Sequence, residues 1–286
     1  MFDFPGIYKE ANDISIKTQK DYLLILKIFL TLLLISAVIF SYFSNIWEIR
    51  LVNAILSLIL LTLSFVFYFF NFQGAWYSAR AVAESIKTIC WRYATRADPY
   101  NCNDDEARDH LIETIKHIVD MNLEFKKHLS AKYSSLEQLP ETMAQIRSLS
   151  QAERLEYYFV NRVIEQRDWY GNKSKENNTK AVTFYAVLIL ISLLLSVLLF
   201  IDLDKSNTIK YPIDILLSLI SIFFTWVQTR KYRELDKSYA LAAYEIGFIA
   251  SQKHKINTEE KLSTYVMNSE NAFSREHTQW LARKDN

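Results

Sequence analysis

The sequence predicts an all-α membrane protein in which four transmembrane helices form two duplicated hairpins with long cytoplasmic helical extensions. Three observations predict it. Four apolar runs approach or reach the roughly 20 residues needed to cross a hydrocarbon core about 30 Å thick. Only four Gly and four Pro punctuate 286 residues, too few for the turns of a sheet. The two halves also repeat each other: "LSLI" at positions 56–59 returns at 217–220, an offset of 161.

The first span is residues 23–43 and the second 51–71, joined by "SNIWEIR". The third is 181–201 and the fourth 212–230, the last extended through Gln228 to Arg230 by side chains that reach the interface. Lipid cannot satisfy a free backbone, and no alternating barrel pattern is present, so the spans are helices. The opening "MFDFPGIYKEANDISIKTQK" lacks the basic start, short apolar core and cleavage site of a signal peptide, so the first span is expected to be retained. The connectors carry few bases (Arg50 in the first, Lys205 and Lys210 in the second), whereas the centre and the C-terminal tail are rich in them. The positive-inside rule therefore puts the N-terminus, the centre and the C-terminus in the cytoplasm, with the spans in the cell inner membrane.

This divides the chain into an N-terminal two-span module (1–100), a cytoplasmic helical linker (101–150) and a C-terminal two-span module (151–286). In the linker, "DDEARDHLIETIKHIVDMNLEFKKHLSAK" opens with acids that suit a helix N-terminus and sets Leu111, Ile115, Ile118, Phe125 and Leu129 near one face. Pro140 and its neighbouring serines mark a bend. The following "SQAERLEYYFVNRVIEQRDWYGNKSK" places Tyr158, Arg162, Gln166, Tyr170 and Lys173 at intervals of four or three. The 161-residue offset also carries Asn53 onto Asp214, Ser57 onto Ser218 and Ser64 onto Thr225, and Ala79, Ala81 and Glu84 onto Ala240, Ala242 and Glu245.

The fourth span holds the clearest candidate surface. Asp214, Ser218, Ser221, Thr225 and Gln228 fall within roughly 80° of one helix face at about 100° per residue. Asn53, Ser57 and Ser64 give the second span a matching stripe, and Lys27, Thr31 and Ser192 a weaker echo in the others. Two readings stand side by side. Small hydroxyl residues let membrane helices pack closely; the same stripe could line a water-filled path, with Asp214 solvated at its outer mouth after Pro212.

Elsewhere the sequence excludes more than it offers. Cys90 and Cys102 fall in the cytoplasmic centre, where a structural disulfide is not expected. A net charge of +1 gives no concentrated basic face for nucleic acid. Trp76, Trp91, Arg92, Trp169, Tyr170 and Arg230 read as membrane-interface anchors. Glu84 and Glu245 could bridge subunits, couple the cytoplasmic helices to the hairpins, or be solvated charges. No Walker loop, nucleophile elbow or H-E-x-x-H is present, and Glu113, His117, Asp120 and Glu124 share a face of a kind common on solvated helices. No catalytic residue, cofactor or metal is therefore expected.

The segment "YYFVNRVIEQRDWYGNKSKENNTK" ahead of a two-span hairpin resembles the C-terminal type of SLATT domain, the SMODS and SLOG-associating two-transmembrane effector domain. The residues that match its pattern are Tyr158, Arg162, Gln166, Trp169, Tyr170 and Lys173. The N-terminal half, with "GIYKEANDISIKTQKDY" and "AWYSARAVAESIKTICWRYATRADPY" flanking its hairpin, resembles a companion type. The resemblance implies a bacterial membrane effector of conflict or antiviral defence systems. It would work in the lipid bilayer as a homo-oligomer that forms pores, beside a nucleotide-signalling synthetase or sensor. The alternative is a non-conducting membrane scaffold that recruits a cytoplasmic signalling partner.

Overall fold

The computed structural model describes residues 2–202 and 212–282, with side chains through Ser274. Lys205 and Lys210, on which the orientation of the second connector depends, lie outside the described residues. Those residues are all-helical. In chain order the elements are α1 (Gly6–Phe43), α2 (Trp47–Phe69), α3 (Phe72–Ala94), α4 (Asp104–Met121) and α5 (Leu123–Lys126). Then come α6 (Glu141–Arg147), α7 (Gln151–Tyr158), a π-helical segment Phe159–Ile164, α8 (Glu165–Asp202), α9 (Ile213–Arg230), α10 (Tyr232–Ala250) and α11 (Glu259–Ala282). Among the described residues, four helical stretches are long and apolar enough to cross a membrane.

The chain divides into two compact units. One, the helical unit, comprises residues 1–20, 72–173 and 238–286; the other, the span unit, comprises 21–71 and 174–237. The span unit turns its apolar side chains outward, and α2 buries none of its residues. Such a surface suits lipid, where apolar exposure has no hydrophobic cost. Inside the unit the helices meet through aromatic edges and a few polar bonds. Tyr22 and Phe29 of α1 approach Phe67 of α2 edge-on at 6.0 and 6.1 Å, and Phe184 of α8 meets Phe223 of α9 at 6.1 Å. Lys27 turns its ammonium over the ring of Trp226, 5.6 Å from the centroid.

The second helix of each hairpin ends in step with the repeat. α2 stops at Phe70, an extended residue whose N–H bonds the Val66 carbonyl; α9 stops at Lys231, a left-handed residue whose N–H bonds the Val227 carbonyl. Phe70 and Lys231 are themselves one repeat offset apart. A left-handed conformation costs a non-glycine residue roughly 1–2 kcal/mol, so the break after α9 is held by its surroundings.

In the helical unit α3 is the central element, and α4, α5, α6 and α11 pack against it. Its small residues Ala75, Ala79 and Ala83 are buried, which lets neighbouring helices approach closely. One core cluster joins α3 to Ala11, Leu111, Ile115, Phe125 and Met143. A second joins Trp91 to α7, α10 and α11 through Tyr158, Ile246, Leu262 and Val266.

The expected linker helix is shorter than its apolar pattern. It starts as predicted, with the Asn103 side chain capping the Glu106 N–H at 2.9 Å and three acids in the first turn. It stops at Met121 because Asn122 leaves helical geometry and bonds the Ile118 carbonyl through its own amide at 2.7 Å, the local competition that makes Asn a poor helix interior. Phe125 is still buried, on the single turn of α5, but Leu129 is exposed. Pro140 opens α6, where the bend was expected.

Candidate functional site

The stripe residues are placed on the outward surface of the span unit. Ser57, Ser64, Ser221, Thr225 and Gln228 are exposed, and Ser218 is half-buried. Each hydroxyl donates to its own helix: Ser57 to Ala54, Ser64 to Leu60, Ser218 to Asp214, Ser221 to Leu217 and Thr225 to Ser221, at 2.7–3.0 Å. Interhelical bonding within the chain therefore falls to the acid and the amide at the stripe ends. Ser36 of α1 donates to Asn53 Oδ1 at 2.6 Å, and Ser41, also of α1, donates to Asp214 Oδ2 at 3.3 Å. These repeat-related positions thus both bind α1, from two different hairpins.

In the helical unit a second constellation forms around Arg162. The guanidinium lies on the π-helical segment and grips Glu270 of α11 with two prongs, Nε to Oε1 at 2.9 Å and Nη2 to Oε2 at 2.7 Å. Arg162 is 3% exposed and Glu270 0%. The remaining acceptor capacity of Glu270 is met by the Tyr158 hydroxyl at 2.8 Å and the Thr88 hydroxyl at 3.1 Å. Arg162 also bonds Gln166 Oε1 at 3.1 Å and lies over the Phe273 ring. Burial is the largest single influence and would lower the Arg162 pKa, but the charge and hydrogen bonds of Glu270, together with Tyr158 and Glu84, outweigh it and hold the guanidinium above its ordinary value. π-helical turns are rare and gather at functional sites.

Two more buried arginines fix the segments that precede Arg162. Arg147 bonds Asp104 at 2.7 Å and the carbonyls of Tyr93, Tyr100 and Cys102 at 2.8–3.0 Å, tying α6 to the loop between α3 and α4. Arg154 of α7 pairs with Glu259 at the start of α11.

The sequence brought Arg162 and Gln166 forward, and they do meet. Trp169 and Tyr170 lie edge-on to each other, and both rings contact Tyr239 of α10 at 5.5–5.6 Å. Glu84 is engaged by Arg80 on its own helix at 3.6 Å, and Glu245 is half-buried on α10. The anchor reading fails for Trp91 and Tyr170: both belong to the second core cluster, 2% and 4% exposed, because their faces of α3 and α8 pack against α7, α10 and α11. Trp169 keeps an exposed edge. Glu270, Thr88 and Lys87 were missed. Glu270 had a signal, since Leu262, Tyr265, Val266, Ser269 and Phe273 set an apolar helical face that includes position 270.

Residues 5–155 match the family model of the SMODS and SLOG-associating 2TM effector domain 3, and residues 158–280 match that of the SMODS and SLOG-associating 2TM effector domain 1. None of the curated proteins and none of the solved structures compared matches the chain. The gap between the two matches, Glu156 and Tyr157, falls in α7 just ahead of the π-turns. The chain belongs to the SLATT family and carries two of its two-transmembrane effector domains in tandem.

Proposed function

We propose that this protein is a membrane effector of a bacterial conflict or antiviral defence system that assembles as a homo-oligomer and opens a pore under control of its helical unit. The observation that carries the reading is the state of the stripes. Their hydroxyls are already bonded to their own backbones, yet most remain exposed on helices otherwise suited to lipid. A packing role within one chain would use them between helices; among the described residues the interhelical bonds of the stripes are made by Asn53 and Asp214 instead. Copies arranged with the stripes inward would give a polar path lined by Ser57, Ser64, Ser218, Ser221, Thr225 and Gln228.

The two hairpins act as duplicated modules (1–100 and 151–286) joined by a helical linker (101–150), with both termini and the linker in the cytoplasm. A nucleotide-signalling synthetase or sensor supplies the trigger, and it must favour one packing of the assembly over another to do so. Arg162, Gln166, Trp169, Tyr170, Glu84 and Glu245 couple the trigger to the spans. Replacing Ser218, Ser221 and Thr225 with leucine is expected to abolish ion flux in liposomes while assembly persists. Unchanged conductance would reject the lining.

A scaffold reading has one observation of its own. α10 exposes Leu241, Tyr244 and Phe248 on the helical unit, three large apolar residues at helical spacing. Rimmed by polar residues, such a patch suits a partner protein. A purified chain that never permeabilises liposomes, even with that partner bound, would favour it.

A further inference from the structure

Beside the Arg162 network, and wholly within the helical unit, lies a cavity of about 330 Å³. Its lining separates by chemistry. Phe4, Tyr8 and Trp91 supply aromatic walls, with Phe2 stacked on the Trp91 indole at 4.0 Å and 20°. Lys87 and Arg162 supply positive charge, Asn161 and Gln166 supply amides, and Glu165 stands exposed at the edge.

The bonds already made leave particular groups available. Arg162 is committed to Glu270, and Glu84, three residues before Lys87, is engaged by Arg80. Lys87 is a half-buried cation in none of the ion pairs found among the described residues, and Glu84 and Glu270 act on it through charge alone. Burial, with the positive charge of Arg162, lowers its pKa against the opposing charges of Glu84 and Glu270, so an incoming anion would relieve an existing cost. Asn161 donates to the Tyr157 carbonyl at 2.9 Å, which leaves its oxygen as an acceptor; Gln166 accepts from Arg162, which leaves its NH₂ as a donor. One donor and one acceptor, set near aromatic rings and a cation, match a nucleobase edge, its faces and a phosphate.

We propose that this cavity binds a nucleoside monophosphate, with its phosphate on Lys87, its base against the aromatic wall and its base edge read by Asn161 and Gln166. Glu165 would accept from the sugar hydroxyls. The volume suits a ligand of that size, since about 330 Å³ is near the lower end of small-molecule pockets. The site goes beyond the pore reading, and its binding stands or falls without any conductance.

The test uses the full chain in lipid nanodiscs, with AMP, GMP, CMP and UMP as probes and with adenosine, guanosine and inorganic phosphate as controls, read by calorimetry. At least one monophosphate should bind, more tightly than its nucleoside or free phosphate, and Lys87→Met should weaken it about tenfold or more, as expected for a charge-assisted contact. Asn161→Leu, at an exposed position, should alter the order of preference among the four bases even if the Lys87 variant folds poorly. The proposal is overturned if none of the four binds, if both variants bind like the parent, or if phosphate alone binds as well as the nucleotides.

Discussion

Arg162 and Glu270 lie 108 positions apart and close a two-pronged ion pair with neither residue open to solvent. A buried pair is costly to desolvate and contributes little net stability, but removing one partner strands the other charge at about 3–5 kcal/mol. Arg162→Met should therefore lower stability by about that much in denaturant or thermal melts of the solubilised protein. The double variant Arg162→Met with Glu270→Leu should recover a large part of the loss. A single variant as stable as the parent would show that the pair does not organise α11.

Buried and half-buried phenols set an alkaline limit. Burial raises Tyr8 and Tyr265 to about 12, and Tyr158 rises too, through burial and the adjacent Glu270. In the unfolded chain a tyrosine ionises near 10. The folded state holds the proton more tightly, so the stabilisation is complete below about pH 10 and is lost as pH rises through about 12. Tyrosinate absorbance and helical circular dichroism should therefore change together across that window. Ionisation of these phenols at pH 10 with the fold intact would contradict the burial.

The two thiols should part company in labelling. Cys90 is fully buried and its pKa is pushed up by burial, which suppresses the reactive thiolate; Cys102 is half-buried. A maleimide should modify Cys102 in the native protein and Cys90 only after denaturation. Mass spectrometry of the labelled peptides reads this directly, and early labelling at Cys90 would refute it.

Orientation can be read with the same chemistry. Asp214→Cys should be labelled by an impermeant maleimide added to intact spheroplasts, whereas Cys102 in that variant should stay unlabelled until the membrane is opened. The opposite order would invert the proposed topology.

The long apolar helices were legible because lipid thickness imposes a length on an apolar run: the first and fourth runs were expected to end at 43 and 230, and the helices end at Phe43 and Arg230. The end of α4 was not, because the apolar spacing continues through Phe125 while the backbone yields to the side chain of Asn122. The steps of four from Tyr158 through Arg162 and Gln166 to Tyr170 carried a signal of another kind. On an α-helix each step drifts by about 40°, and the π-turns over Phe159–Ile164 reduce that drift, which helps bring Tyr158 and Arg162 to the same carboxylate. Arg162 itself was legible; its partner was not, since no local pattern says which distant helix supplies a carboxylate.

The self-bonded hydroxyls of α2 and α9 bear on what could ever face them. A serine that has given its only proton to a carbonyl shows its surroundings nothing but lone pairs. Two such rows brought together would offer each other no hydrogen, so they would meet poorly when dry and need a donor or a positive charge between them. Water, an ammonium group or a metal cation would fill that gap; a halide would not.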